Sequence, residues 1–173
     1  MAKRCLSGGA AVLAAALVWA LAPLAWAAGG GGGGGSGGSS TGWGGGNADP
    51  DYNRAVAAIK AEDYAQAVPL LQGYVARSPD DANGENWLAY AYRKTGKMDE
   101  AFEHYAKALK LNPNHRGAHE YVGEAYLMVG NLAKAEEHLK LLDKLCLLPC
   151  EEYTDLKEAV AAYKVNKGIA ASQ

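Results

Sequence analysis

Two cysteines four residues apart, Cys146 and Cys150, are the sharpest chemical feature of this sequence. At that spacing a helical or tightly turned backbone brings the Cα atoms within the roughly 4.4–6.8 Å that a disulfide tolerates. The spacing favours a structural disulfide, whose five-residue loop would contribute about 2 kcal/mol by chain entropy. Three other readings stay open. A redox-active pair is one, although the spacing is C-x-x-x-C and no βαβ context surrounds it. A metal site is another, but a closed zinc site takes about four ligands, and His138 is a third candidate that nothing in the sequence orients. Two free thiols are the last. His115 and His119 are also four apart, with Glu120 adjacent, so one helix face could present both imidazoles to a metal. The simpler reading places His115 in a turn and His119 at a helix start, both exposed. The H-E-x-x-H signature and a strand-linked phosphate loop are absent. The residues point away from an enzyme, and toward no cofactor and no resident metal.

The elements that would position these residues follow from a repeat. Ala67, Ala101 and Ala135 are evenly spaced, and Ala55, Ala89 and Gly123 keep the same interval, as do Tyr64, Met98 and Leu132. Tyr92 and Tyr126, Gly96 and Gly130, and Pro79 and Pro113 each show it once. A fixed period of this size marks stacked supersecondary units. Within each unit the apolar residues follow helical spacing: Leu88, Tyr92, Tyr105 and Leu109 in the second, Val122, Tyr126, Leu139 and Leu142 in the third. The small residues let two antiparallel helices approach closely, and the tyrosines fill the space between one pair and the next. Asp49, Asp63, Asp81 and Asn131 each precede an expected helix as side-chain caps.

Here the second unit, Leu88-Ala89-x-x-Tyr92, Ala101-x-x-x-Tyr105, Ala108 and Pro113, closely resembles the tetratricopeptide repeat. The third resembles it through Val122-Gly123-x-x-Tyr126, Ala135 and Leu139, with Leu147 where the closing proline would fall. The first is degenerate: Arg54-Ala55-x-x-Ala58, Ala67-x-x-x-Leu71 and Pro79, with Pro69 inside its second helix at a usual cost of about 3 kcal/mol unless the helix bends. The expected fold is all-α, a solenoid of about three helix pairs: residues 48–81, 82–115 and 116–149. Residues 150–166 read as a capping helix with Leu156, Ala159, Val160 and Tyr163 inward, and with Glu151, Glu152, Asp155, Lys157 and Glu158 in water. Residues 167–173 read as a disordered tail. The run Cys146 to Cys150 followed by Glu151-Glu152-Tyr153 resembles the end of small exported bacterial proteins of this family.

The resemblance implies a concave groove lined by first helices, where family members bind peptides. Carried onto this chain, the groove residues are Tyr52, Val56, Ile59, Asn86, Tyr90, Arg93, Lys94, Glu120, Glu124, Leu127 and Met128. They mix aromatic and aliphatic contact with a basic pair in the second repeat and an acidic pair in the third. Some relatives clamp a terminal carboxylate with lysines, asparagines and an arginine. The matching positions here hold Tyr52, Val56, Trp87, Gly117 and Tyr121, so that clamp is missing. The implied function is a scaffold for another protein or peptide; the competing class is a redox or metal-handling accessory acting through Cys146 and Cys150, and a third is a structural element of the cell envelope.

The N-terminus bears on location. Lys3 and Arg4, an apolar run over 10–22, and Ala25-Trp26-Ala27 follow the order of a secretory signal peptide over residues 1–27. The run ends at Pro23, short of the roughly 20 residues of a membrane span. Retention of the segment as an anchor is the alternative. Residues 28–47 read as a flexible linker, with glycine at most positions between 29 and 46 and Trp43 as a lone aromatic. Cleavage would lower Lys+Arg from 17 to 15 against 19 Asp+Glu, a charge near −4 that argues against nucleic acid. It would also remove Cys5 and leave the chain periplasmic or secreted, off the membrane, with the remaining cysteines in an oxidising compartment.

Overall fold

The computed structural model describes residues 49–169; the signal segment 1–27, the linker 28–47 and the end of the tail at 170–173 lie outside the described residues. Among the described residues the fold is all-α. Seven helices follow one another: α1 Pro50–Lys60, α2 Tyr64–Arg77, α3 Ala82–Lys94, α4 Met98–Leu111, α5 Arg116–Met128, α6 Leu132–Leu145 and α7 Glu151–Asn166. Each of α1, α3 and α5 packs on the even helix that follows it, and each pair stacks on the next, α2 against α3 and α4 against α5. The last helix, α7, lies against both α5 and α6, where a further pair would begin.

Local chemistry starts these helices where side-chain acceptors are available. The Asp49 carboxylate accepts from the backbone N–H groups of Asp51 and Tyr52, at 2.8 and 3.2 Å. Asp63 caps α2 through Gln66 N–H, Asp81 caps α3 through Asn83 N–H, and Asn131 caps α6 through Lys134 N–H. Each bond satisfies a donor that the first turn of a helix leaves open. The helix α2 runs through Pro69 without interruption. Pro69 and Ala65, whose carbonyl loses its usual partner, are both exposed, so water can take up the missing bond.

The core is built on small residues. Ala55, Ala67, Ala89, Ala101 and Ala135 have no exposed surface, and Gly123 is buried with them. Two glycines permit closer approach still. A Cβ on Gly84 would lie 2.6 Å from the buried Tyr74 ring, and one on Gly123 would lie 2.6 Å from Leu156 of α7. Leu156 is fully buried and, with Val160, Leu142 and Ala135, forms a second core beneath the cap. One expectation for α7 is corrected: Glu152 is buried, not solvent-facing, and Arg116 of α5 approaches it at 3.6 Å. The cap packs on α5 along this edge as well as through its apolar stripe.

The turn inside each pair needs a residue in the left-handed region. Gly96 and Gly130 supply it with φ of +78° and +80°. In the first pair the same register position is Glu62, at φ +57°. A side chain with Cβ costs about 1–2 kcal/mol there, more than the entropy glycine loses on folding. Replacing Glu62 by glycine should therefore raise stability by about 0.5–1 kcal/mol, measured by urea unfolding; a loss of stability would contradict the strain.

Polar ties join the two helices of a pair at another repeated position. In the second pair the Glu85 carboxylate meets His104 Nδ1; at the same register in the third pair, His119 meets His138. His119 is thus buried, and His138 oriented, in contrast to the exposed and unoriented side chains expected for them. The protonation pattern follows from the partners. His119 Nε2–H donates to the Pro113 carbonyl at 2.9 Å, so its Nδ1 is the acceptor for His138 Nδ1–H, also at 2.9 Å. Tyr126 stacks on the His138 ring, 5.7 Å between centroids. Burial holds both imidazoles below their ordinary range, and with His119 beside it His138 is pushed down to about 4. The unfolded chain takes up protons near pH 6.5, while the folded chain refuses them until about pH 4. The pair's own contribution should be full above pH 6.5 and fall across that window, so that the Tm advantage of the native chain over His138→Gln shrinks by about 5 °C between pH 7 and pH 5. His138→Gln, which can still donate to His119, should flatten the dependence.

Candidate peptide-binding face

The odd helices α1, α3 and α5 carry the expected groove residues, and the structure sorts them by depth. Tyr52, Ile59, Asn86, Arg93, Glu120 and Leu127 are buried; Val56, Tyr90 and Glu124 are half-buried; Lys94 and Met128 are exposed. The face is therefore a floor of buried groups with an accessible rim. Rings occupy its centre. Tyr90 packs against Tyr121 at 4.7 Å between centroids, against the edge of Trp87 at 5.8 Å, and against Tyr64 at 6.3 Å. Trp87 and Tyr121 share one register position in successive repeats, in place of the missing carboxylate clamp. That aromatic pair was the signal in the sequence for a hydrophobic centre.

Arg93 organises the polar part. Its guanidinium lies over the Tyr90 and Tyr121 rings, at 5.1 and 5.5 Å, and its Nη1 pairs with the Glu124 carboxylate at 2.7 Å. A buried cation needs this combination of counter-ion and π-face to offset its lost hydration. Lys94 sits at the rim with its ammonium 5.5 Å from the Tyr90 ring. Burial pushes the hydroxyls of Tyr105 and Tyr121 upward, so both stay protonated. Glu120 is pushed up to about 9, chiefly by burial, then by the carboxylates of Glu124, Asp155 and Glu152, with Arg93 opposing. Asp155 and Glu152 come from α7, so the capping helix helps set the charge of the groove.

The cysteine pair lies apart from this face. Cys146 closes α6 and Cys150 opens α7. Their sulfurs are at bonding distance, with Cα atoms 5.8 Å apart. Between them Leu147 and Leu148 are 100% and 80% exposed beside a small cleft that Asp143 and Tyr153 also line. His115 is half-buried; it accepts from Ala118 N–H at 3.1 Å and caps α5, so it does not join His119 in a common ligand set. Among the described residues no three His, Cys, Asp or Glu side chains group as metal ligands, and no helix is long and apolar enough to cross a membrane.

Two models of the tetratricopeptide repeat match the chain, over residues 52–115 and 93–145. A TPR repeat-containing protein of Pseudomonas aeruginosa, PA4667, is 37% identical over 90 residues, which are 51% of this chain and 15% of that one. DnaJ homolog subfamily C member 3 of Gallus gallus is 31% identical over 94 residues, 52% of this chain and 19% of the relative. The chain thus spans less than a fifth of the length of these relatives. Among solved structures, the type III secretion translocator chaperone SycD of Yersinia enterocolitica superposes with a TM-score of 0.61 at 22% identity, covering 68% of this chain and 83% of SycD. SycD has also been solved in complex with a peptide of the translocator YopD, and that structure superposes with a TM-score of 0.59 at 21% identity, over 68% of this chain and 92% of that one. MamA of Desulfovibrio magneticus RS-1 gives 0.53 at 26% identity, over 55% of this chain and 54% of that one. With helix pairs recurring at a fixed period, small residues at each crossing and a glycine in two of the inner turns, the chain belongs to the tetratricopeptide repeat family.

Proposed function

We propose that this chain is an exported, non-catalytic scaffold that binds a partner polypeptide along the face of α1, α3 and α5. The observation that carries the reading is the aromatic and charged centre of that face, Tyr90, Trp87, Tyr121 and the Arg93–Glu124 pair, with Lys94 and Met128 accessible at its rim. The few residues that dominate binding energy in protein interfaces are enriched in tryptophan, tyrosine and arginine. The peptide complex of SycD, a similar fold, supports the same use of the architecture. Export rests on the order of charge, apolar run and A-x-A site in residues 1–27. Affinity capture from the native envelope with Tyr90→Ala plus Lys94→Glu should lose a partner that the native chain retains. An unchanged set of partners would reject the groove.

In an oxidising compartment the Cys146–Cys150 pair is a disulfide that pins α7 to α6, in keeping with its position between the two helices. Thiol titration should then find no free thiol before reduction, and Cys146→Ala or Cys150→Ala should cost about 2 kcal/mol while partner capture persists. Variants that keep their stability but lose activity on a thiol or disulfide substrate would favour the competing redox reading instead.

A further inference from the structure

Most buried polar side chains have a hydrogen-bond partner, so a cluster of exceptions in one place asks for an explanation. Among the described residues the buried side-chain atoms without a well-formed hydrogen bond are Asn86 Oδ1, Arg93 Nε, Tyr105 Oη and Glu120 Oε2, of which Arg93 and Tyr105 interact with each other. Three of the four belong to the binding face, and Asn86, Arg93 and Glu120 are only 4%, 6% and 4% exposed. Two of these atoms, Asn86 Oδ1 and Glu120 Oε2, are acceptors. Around Glu120 the charge is unbalanced. Glu124, Glu152 and Asp155 act on it, against Arg93, which is already paired with Glu124. Arg116 is the other cation on this edge, and it approaches Glu152. Glu124 keeps 27% of its side chain exposed, so the negative ground reaches the surface.

We propose that the face of the second and third repeats is a socket for a cationic side chain of the partner polypeptide, with the Glu124 carboxylate at its rim, Glu120 as the carboxyl that ionises on binding and Asn86 as a neutral acceptor. The inference rests on the groove reading above and names the chemistry the groove selects. An anionic group would meet an excess of carboxylates here, and an apolar one would leave the orphaned acceptors buried and unpaired, at a cost. A lysine or arginine that parts the covering side chains supplies donors to both, and its charge balances Glu120 once that carboxyl ionises, in charge-assisted hydrogen bonds. The Tyr90 and Tyr121 rings beside the socket suit the apolar stem and the cation of such a side chain. Binding has a proton consequence. The free protein holds Glu120 as a neutral carboxyl at neutral pH. An arriving cation favours the carboxylate, so the carboxyl proton passes to the buffer as the ion pair forms.

The test is an array of random decapeptides with acetylated N-termini, probed with the folded chain. A peptide that binds is then resynthesised with lysine, Nε-acetyl-lysine and glutamate at the selected position. The array should select lysine or arginine at one position, and acetylation should weaken binding by about tenfold or more, on unaltered protein. Calorimetry in two buffers of different ionisation enthalpy should show proton release for the lysine peptide, with affinity rising up to about tenfold per pH unit between pH 7 and pH 9. Glu120→Gln, checked for folding by circular dichroism, should abolish both the proton release and the preference for lysine over acetyl-lysine. Peptides whose binding depends on Tyr90 but that show no cationic preference would overturn the socket and leave the groove intact. An absence of any binding sensitive to Tyr90→Ala would overturn both.

Discussion

Everything in this fold depends on how closely two helices of a pair approach. Ala55, Ala89 and Gly123 on the first helices, and Ala67, Ala101 and Ala135 on the second, are all buried. A larger side chain at these positions would push the pair apart, because a close-packed interior has no spare volume for an added methylene. With the backbones close, Tyr74, Tyr105, Leu71, Leu88 and Leu142 fill the spaces that remain. The period persists in the sequence because this one steric requirement recurs in each unit. Where a pair has no successor, Leu156 of α7 takes the place against Gly123 that a further repeat would occupy.

That geometry turns one side of the odd helices outward together. The consequence is electrostatic as much as steric. Arg93 comes from the second repeat, Glu120 and Glu124 from the third, and Asp155 and Glu152 from the cap, so three successive units contribute charge to one face. None of these groups is unusual on its own helix. Their effect arises because stacking removes Arg93, Glu120 and Glu152 from water together, which raises the energetic weight of each uncompensated charge. The aromatic rings at the centre lower the local polarity further and give Arg93 a second stabilising contact. The pairs Glu85–His104 and His119–His138 show the same position put to two electrostatic uses, a carboxylate against an imidazole in one repeat and two neutral imidazoles in the next.

The sequence by itself determined the repeat, the helix pairs and the caps of α1, α2, α3 and α6. These features are local or periodic: Asp49, Asp63, Asp81 and Asn131 act on backbone N–H groups within three residues, and the alanines recur at a spacing the eye can count. It also placed the named groove positions on α1, α3 and α5, through the register that the family resemblance supplies. What it did not carry is depth. Glu152 on the polar side of α7 and His119 at a helix start both read as exposed, and both are buried, because neighbouring elements cover them. Only the tertiary structure decided that Asn86, Arg93 and Glu120 form a floor and that Lys94 and Met128 form a rim. It alone brought Asp155 of the cap to bear on Glu120, two helices earlier in the chain. Burial and long-range charge belong to the packing of whole helices, and the spacing of residues within one helix contains neither.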